Sequence, residues 1–343
     1  MIRARRLLAA LALGLALASG WQAVALWRAG GWWVDRAEES LAQVYTTALA
    51  RAATPTRVAE LLDARLVETP RNWHVIDALL AENTPLPPDL QSRLATARAE
   101  DFSLAAKASA CGLCAYDLSQ CTLGPDLACG IGVNLTVAGD LLALGREGLA
   151  AGQGAEVDRL DVALALVGVA ATGAVVVTGG TSYTVKAGAG LMRVAHRMGR
   201  LAPDLRRVYT RALREGVDWA ALSRGVPLAR ATRAEALKPA IRLTDDIGAM
   251  RASAGTRGTL YLMGAADTVP EARAMARTAR ALGPRSTTAL DVLGKSRVLR
   301  LGLRLSNEAI AFVASLGAAF AAVASLLATL LGGRVLRRLR RIL

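Results

Sequence analysis

The chain has 343 residues, room for one large domain or two modest ones plus anchors. Hydrophobic residues make up 53% and the mean hydropathy is positive, more apolar than is usual for a soluble protein of this size, so membrane segments are expected. Aromatics are only 4%, so a β-rich fold is disfavoured, while the abundant Ala, Leu and Arg are strong helix formers. The net charge of +14 is uneven: residues 28–161 carry 11 Lys and Arg against 18 Asp and Glu, and residues 186–308 carry 23 against 10. An acidic half is followed by a basic one. A basic half suits nucleic acid or an anionic lipid surface, and beside membrane anchors lipid is the better match; no nucleic-acid partner is expected.

Residues 1–27 form the first element. Positions 7–27 are uncharged and follow Arg3, Arg5 and Arg6. A ~30 Å bilayer core takes about 20 helical residues, so this is one span, with its positive tip in the cytoplasm. Trp21, Trp27, Trp32 and Trp33 fit an aromatic belt on the far side. The same stretch also reads as a cleaved signal, with Ala16-Leu17-Ala18 before Ser19. Both readings carry residue 35 onward out of the cytoplasm.

Residues 28–105 read as an acidic, helical, periplasmic region. Ala37, Leu41, Val44, Tyr45, Ala48 and Leu49 keep helical spacing. Thr54-Pro55 is an N-cap followed by proline at the first helical position, opening a helix with Val58, Leu61, Leu62 and Leu66. Trp73, Ile76, Leu79 and Leu80 mark a third helix. Pro87-Pro88 starts a fourth, with Leu90, Leu94 and Ala97.

Residues 106–135 hold all four cysteines: Cys111, Cys114, Cys121 and Cys129. In an oxidising compartment this is two disulfides tying a loop-rich knot. In a reducing one the set could bind zinc, although the usual pattern has two C-x2-C knuckles. A redox-active Cys111/Cys114 pair is a third reading, but it lacks its βαβ setting. Three pairings are open. The nested one, Cys111 with Cys129 and Cys114 with Cys121, is preferred because it closes a hairpin between two short helices.

Residues 136–190 are the central apolar segment, uncharged from 162 to 185. It could be a span, a half-inserted hairpin or a buried helix. Its downstream flank (Lys186, Arg193, Arg197, Arg200) is more basic than its upstream one (Glu156, Asp158, Arg159, Asp161), which alone would put the downstream side inside. The C-terminal arginines would then fall outside, against the same rule. A non-spanning middle segment removes the conflict and is the reading adopted.

Residues 191–305 form a basic amphipathic region. Arg193, His196, Arg197 and Arg200 oppose Leu191, Val194, Ala195, Met198 and Leu201; beyond Pro203, Arg206, Arg207, Arg211 and Arg214 oppose Leu205, Val208, Tyr209, Ala212 and Leu213. Such helices can lie on a membrane with arginines at the phosphates, and Arg193, Arg197 and Arg200 are the expected lipid contacts. The same pattern also describes ordinary helices packed on a core. Pro270-Glu271 starts a further helix that stops at Gly283-Pro284. Residues 306–333 are the C-terminal span, uncharged from 309 to 333, and residues 334–343 form a basic tail whose Arg334, Arg337, Arg338, Arg340 and Arg341 are expected at cytoplasmic phosphates.

Chemistry is sparse. His74 and His196 have no nucleophile-and-carboxylate pattern beside them, no phosphate-binding glycine loop appears, and Asp245-Asp246 lacks a calcium loop. No cofactor, metal site or catalytic residue is assigned, and an enzyme is not expected.

The segments CGLCAYDLSQC (111–121), GVNLTVAGDL (132–141) and KAGAGLMRVAHRMGRL (186–201) resemble uncharacterised membrane proteins of GC-rich proteobacteria. That resemblance implies a bacterial inner-membrane location and no activity. The order of segments is also similar to regions preceding toxin domains in polymorphic toxins, but no toxin domain follows. The expected fold is all-α and membrane-anchored, with N- and C-terminal transmembrane helices, residues 35–130 in the periplasm and a central apolar hairpin. The expected role is a cell-envelope scaffold or interaction protein that meets lipid and itself or another envelope protein. A helical pore or channel is the alternative, and a thiol-redox protein the third.

Overall fold

A computed structural model describes residues 31–134, 183–226 and 230–302, with scattered positions between 141 and 164. The described chain is helical, without strands, so the all-α expectation holds. It divides into two compact units: residues 42–302, and the two ends, 1–41 with 303–343, of which only 31–41 are described. No described helix is long and apolar enough to cross a membrane. The terminal apolar segments at 7–27 and 309–333, the arginine tail, and the centre of the 162–185 segment lie outside the described residues.

The acidic region is four helices: α1 (Gly31–Ala52), α2 (Pro55–Leu66), α3 (Trp73–Leu80) and α4 (Pro88–Asp101). Their starts follow from local chemistry. The Thr54 side chain accepts the Arg57 N–H at 3.2 Å with Pro55 at the first turn, and Asn72 caps α3 in the same way. Their apolar faces meet in one core of Leu49, Val58, Leu62, Leu66, Trp73, Val75, Ile76, Leu79, Leu90, Leu94 and Ala97. Each Leu, Ile or Val among them contributes about 1.5–3 kcal/mol on burial. Val44, expected on the apolar face of α1, is 38% exposed.

Next come α5 (Leu104–Tyr116), a short 3-10 turn and α6 (Leu127–Asn134). Beyond residue 182 lie α7 (Tyr183–Arg197), α8 (Pro203–Gly216), α9 (Trp219–Ser223), α10 (Ala234–Gly264), α11 (Val269–Leu282) and α12 (Ser286–Leu293). The long α10 kinks at Gly255, whose φ of 72° is open to glycine and strained for other residues. α11 starts at Thr268, which accepts the Glu271 N–H, and stops at Gly283, as the punctuation predicts. Helices α7, α8 and α11 pack on α10. At Gly188 α7 lies directly on α10: a Cβ there would overlap the Thr244 carbonyl oxygen.

The acidic and basic segments, distinct in composition, share one interior. Val292 of α12 joins the core of α1–α4. The Tyr45 hydroxyl of α1 donates to the Val298 carbonyl at 2.7 Å and hydrogen-bonds Thr278 of α11 at 2.8 Å. Thr288 donates to the Ala78 carbonyl at 2.9 Å, and Arg285 pairs with Glu82 at 2.8 Å. Charges of opposite sign from the two halves thus meet inside one unit.

Candidate functional site

The cysteines form two nested disulfides, Cys111–Cys129 and Cys114–Cys121, with Cα–Cα distances of 5.4 and 4.5 Å. Cys111 and Cys114 stand one turn apart on α5, and Cys129 lies on α6, so one bridge joins the helices and the other ties the loop between them. Leu118, Leu123 and Leu127 are buried beneath, whereas Leu104 and Leu113 are exposed. Gly130 is required here: a Cβ would press on Cys114 Sγ at 2.7 Å and on Leu118. The buried Asp126 carboxylate closes the loop by accepting the Thr122 N–H at 2.7 Å and the Thr122 hydroxyl at 2.6 Å. A bridge closing about 15 residues stabilises by about 3 kcal/mol in the chain-entropy model, a large share for so small an apolar cluster. With the four sulfurs paired in two disulfides, no thiolate is left among them to bind zinc.

A second cluster stands on α7. Residues 187–195 of that helix are buried throughout, so any charge there must find a partner inside the protein. Asp161 supplies it: Arg197 donates to its carboxylate at 2.6 Å, and Arg193 Nε lies 4.0 Å away, with Asp161 and Arg193 side chains 0% and 1% exposed. Beside them His196 Nε2 hydrogen-bonds Asp158 at 2.7 Å. Burial alone would raise the Asp158 pKa, but the His196 hydrogen bond and the N–H groups of Asp161 and Leu160 outweigh it and hold the carboxyl below its usual range. The expectation of Arg193 and Arg197 at lipid phosphates is therefore corrected: both turn inward to Asp161. Arg200 is half-buried, and burial lowers its pKa.

The arginines that do face outward are one helix further on. α8 buries Leu205, Tyr209, Ala212 and Leu213, and its Arg206, Arg207, Arg211 and Arg214 are exposed. Arg207, Arg211 and Arg214, at helical spacing, line an open cleft of about 390 Å³ with Thr210, Leu160, Leu213 and Trp219. The periodic pattern already distinguished this face; what it lacked was any sign that the α7 arginines had partners upstream.

A third polar cluster joins the halves. Asp291 accepts from the Tyr261 hydroxyl at 2.8 Å and from Arg65. Burial first, and then Asp291, raise the Tyr261 pKa. Nearby His74 Nε2 hydrogen-bonds Thr287 at 2.9 Å. Burial, reinforced by Arg257, lowers the His74 pKa to about 4. Thr287 is 0% exposed, so this His–Thr pair is an internal brace between α3 and α12 and not an open nucleophile. Among the described residues no group of three or more His, Cys, Asp or Glu side chains could hold a metal ion.

Fold and surface together define, among the described residues, an all-α, disulfide-bonded protein whose α8 turns a row of arginines outward. No family model, curated protein or solved structure matches the chain.

Proposed function

We propose that this chain is a cell-envelope scaffold or interaction protein of the bacterial inner membrane, held through residues 7–27 and 309–333, with the 42–302 body in the periplasm. The observation that carries the reading is the union of the acidic and basic halves in one disulfide-bonded unit. A bilayer does not cut through a folded body, so positions 105 and 230 stand on the same side. Asp158 and Asp161 pair with His196 and Arg197 at the far end of α7, so the flanks of the 162–185 segment belong to one folded body. The segment's 24 residues are too few for two crossings of about 20 each, which favours a segment that does not span. Two anchors then put the N-terminal arginines and the arginine tail on the same, cytoplasmic side, as the positive-inside rule asks. Disulfides persist in oxidising compartments, which favours the periplasm for the body. The paired flanks weigh against a channel built on a single crossing by the middle segment.

Extraction of the full chain in mild detergent tests the role. A defined oligomer or a stoichiometric envelope partner is expected. A monodisperse monomer with no partner would refute it.

A further inference from the structure

We infer that the cleft between α8 and α9 binds the headgroup of an anionic glycerophospholipid, with Arg207, Arg211 and Arg214 at the phosphate and Trp219 and Leu160 against the first methylenes. The inference rests on the membrane reading above and gives the lipid contact a place.

The stripe is built by packing. Leu205, Tyr209, Ala212 and Leu213 fix α8 on the body, which leaves Arg207, Arg211 and Arg214 aligned outward at i, i+4 and i+7. Local acids neutralise it only in part. Asp204 takes Arg207 at 3.0 Å and Glu215 stands 3.9 Å from Arg214, while Arg211 makes no ion pair among the described residues. The planar guanidinium, which donates in pairs, suits phosphate better than a point charge does.

The opposite wall is apolar and held in place. The Val217–Thr232 bridge, the Asp218 N–H to the Ala231 carbonyl at 2.8 Å, and the Arg233 N–H to the Gly216 carbonyl at 2.7 Å close the loop that carries α9. Asp218 caps α9 by accepting the Ala221 N–H at 2.9 Å. Trp219 is thereby presented at 36% exposure, a large ring with a polar N–H that suits the boundary between water and hydrocarbon. Leu160 completes the wall, two residues before the apolar 162–185 segment departs. Cations, an interfacial tryptophan and the foot of an apolar segment therefore coincide. A volume of about 390 Å³ lies at the small end of ligand pockets, enough for a headgroup and the start of its chains.

The test is a titration of the full chain in neutral detergent with dihexanoyl-phosphatidylglycerol, dihexanoyl-phosphatidylcholine and inorganic phosphate, read by tryptophan fluorescence. Phosphatidylglycerol is expected to saturate a site at least about tenfold tighter than the other two, with the change lost in Trp219→Phe. The exposed double variant Arg207→Gln/Arg211→Gln, with unchanged helical content, is expected to weaken it at least about tenfold. Equal affinity for phosphatidylcholine, inorganic phosphate binding as tightly as phosphatidylglycerol, or no loss in the double variant would each overturn the assignment. The titration is made in detergent, so it stands or falls independently of the side on which the body resides and of whether a protein partner is found.

Discussion

Gly188 shows how much one missing side chain can decide. In sequence it belongs to an isolated G-x-G; in the structure it is where α7 meets the Thr244 carbonyl of α10, and Thr244 in turn hydrogen-bonds Tyr209 of α8 at 2.7 Å. Backbone cannot yield as a flexible side-chain tip can. Gly188→Ala should therefore cost about 3 kcal/mol or more, the upper end for overpacking, and lower the midpoint of thermal unfolding. An unchanged midpoint would show that α7 and α10 do not approach so closely. His74 sets a pH response. Its folded pKa of about 4 lies below the ordinary value of about 6.5, so between them the unfolded chain binds a proton that the folded one does not. The His74 contribution is complete above about pH 6.5 and declines as pH falls toward about 4. His74→Gln keeps a hydrogen-bonding group near Thr287 without titrating. Between about pH 7 and about pH 5 it should lose less stability than the parent in denaturant melts; equal losses would contradict the assignment.

At the scale of elements, α7 was the least legible from sequence and the acidic helices the most. The starts of α2 and α4 are written in Thr54-Pro55 and Pro87-Pro88, and a cap or a proline acts within one turn. The disulfide knot was legible in kind, because four cysteines within 19 residues have few uses outside a reducing compartment. Its nested pairing depended on where α5 and α6 end. The α7 arginines misled for a physical reason: periodicity separates charged from apolar faces, but it does not reveal a carboxylate more than thirty residues upstream that draws the charged face inward. Asp161→Ala tests that correction. Removing one member of a buried ion pair leaves an uncompensated charge and typically costs about 3–5 kcal/mol, so this variant should unfold at markedly lower temperature. A neutral outcome would return Arg193 and Arg197 to the surface. The swing in charge from acidic to basic also suggested separate regions, yet Tyr45, Glu82 and Arg65 find their partners at Val298, Arg285 and Asp291. Composition sums over residues and carries no information about such pairings.

For the whole molecule, we propose that one folded body, from residue 42 to residue 302, stands on the periplasmic side of the membrane. Its helices, disulfides and cross-half hydrogen bonds form a single unit, and Asp161, just before the 162–185 segment, pairs with Arg197 at the far end of α7. Compartment-sensitive reporters fused after residue 105, after residue 230 and at the C-terminus read this directly. Periplasmic signals at 105 and 230 with a cytoplasmic signal at the C-terminus are predicted. Opposite signals at 105 and 230, or a cytoplasmic signal at both, would contradict it.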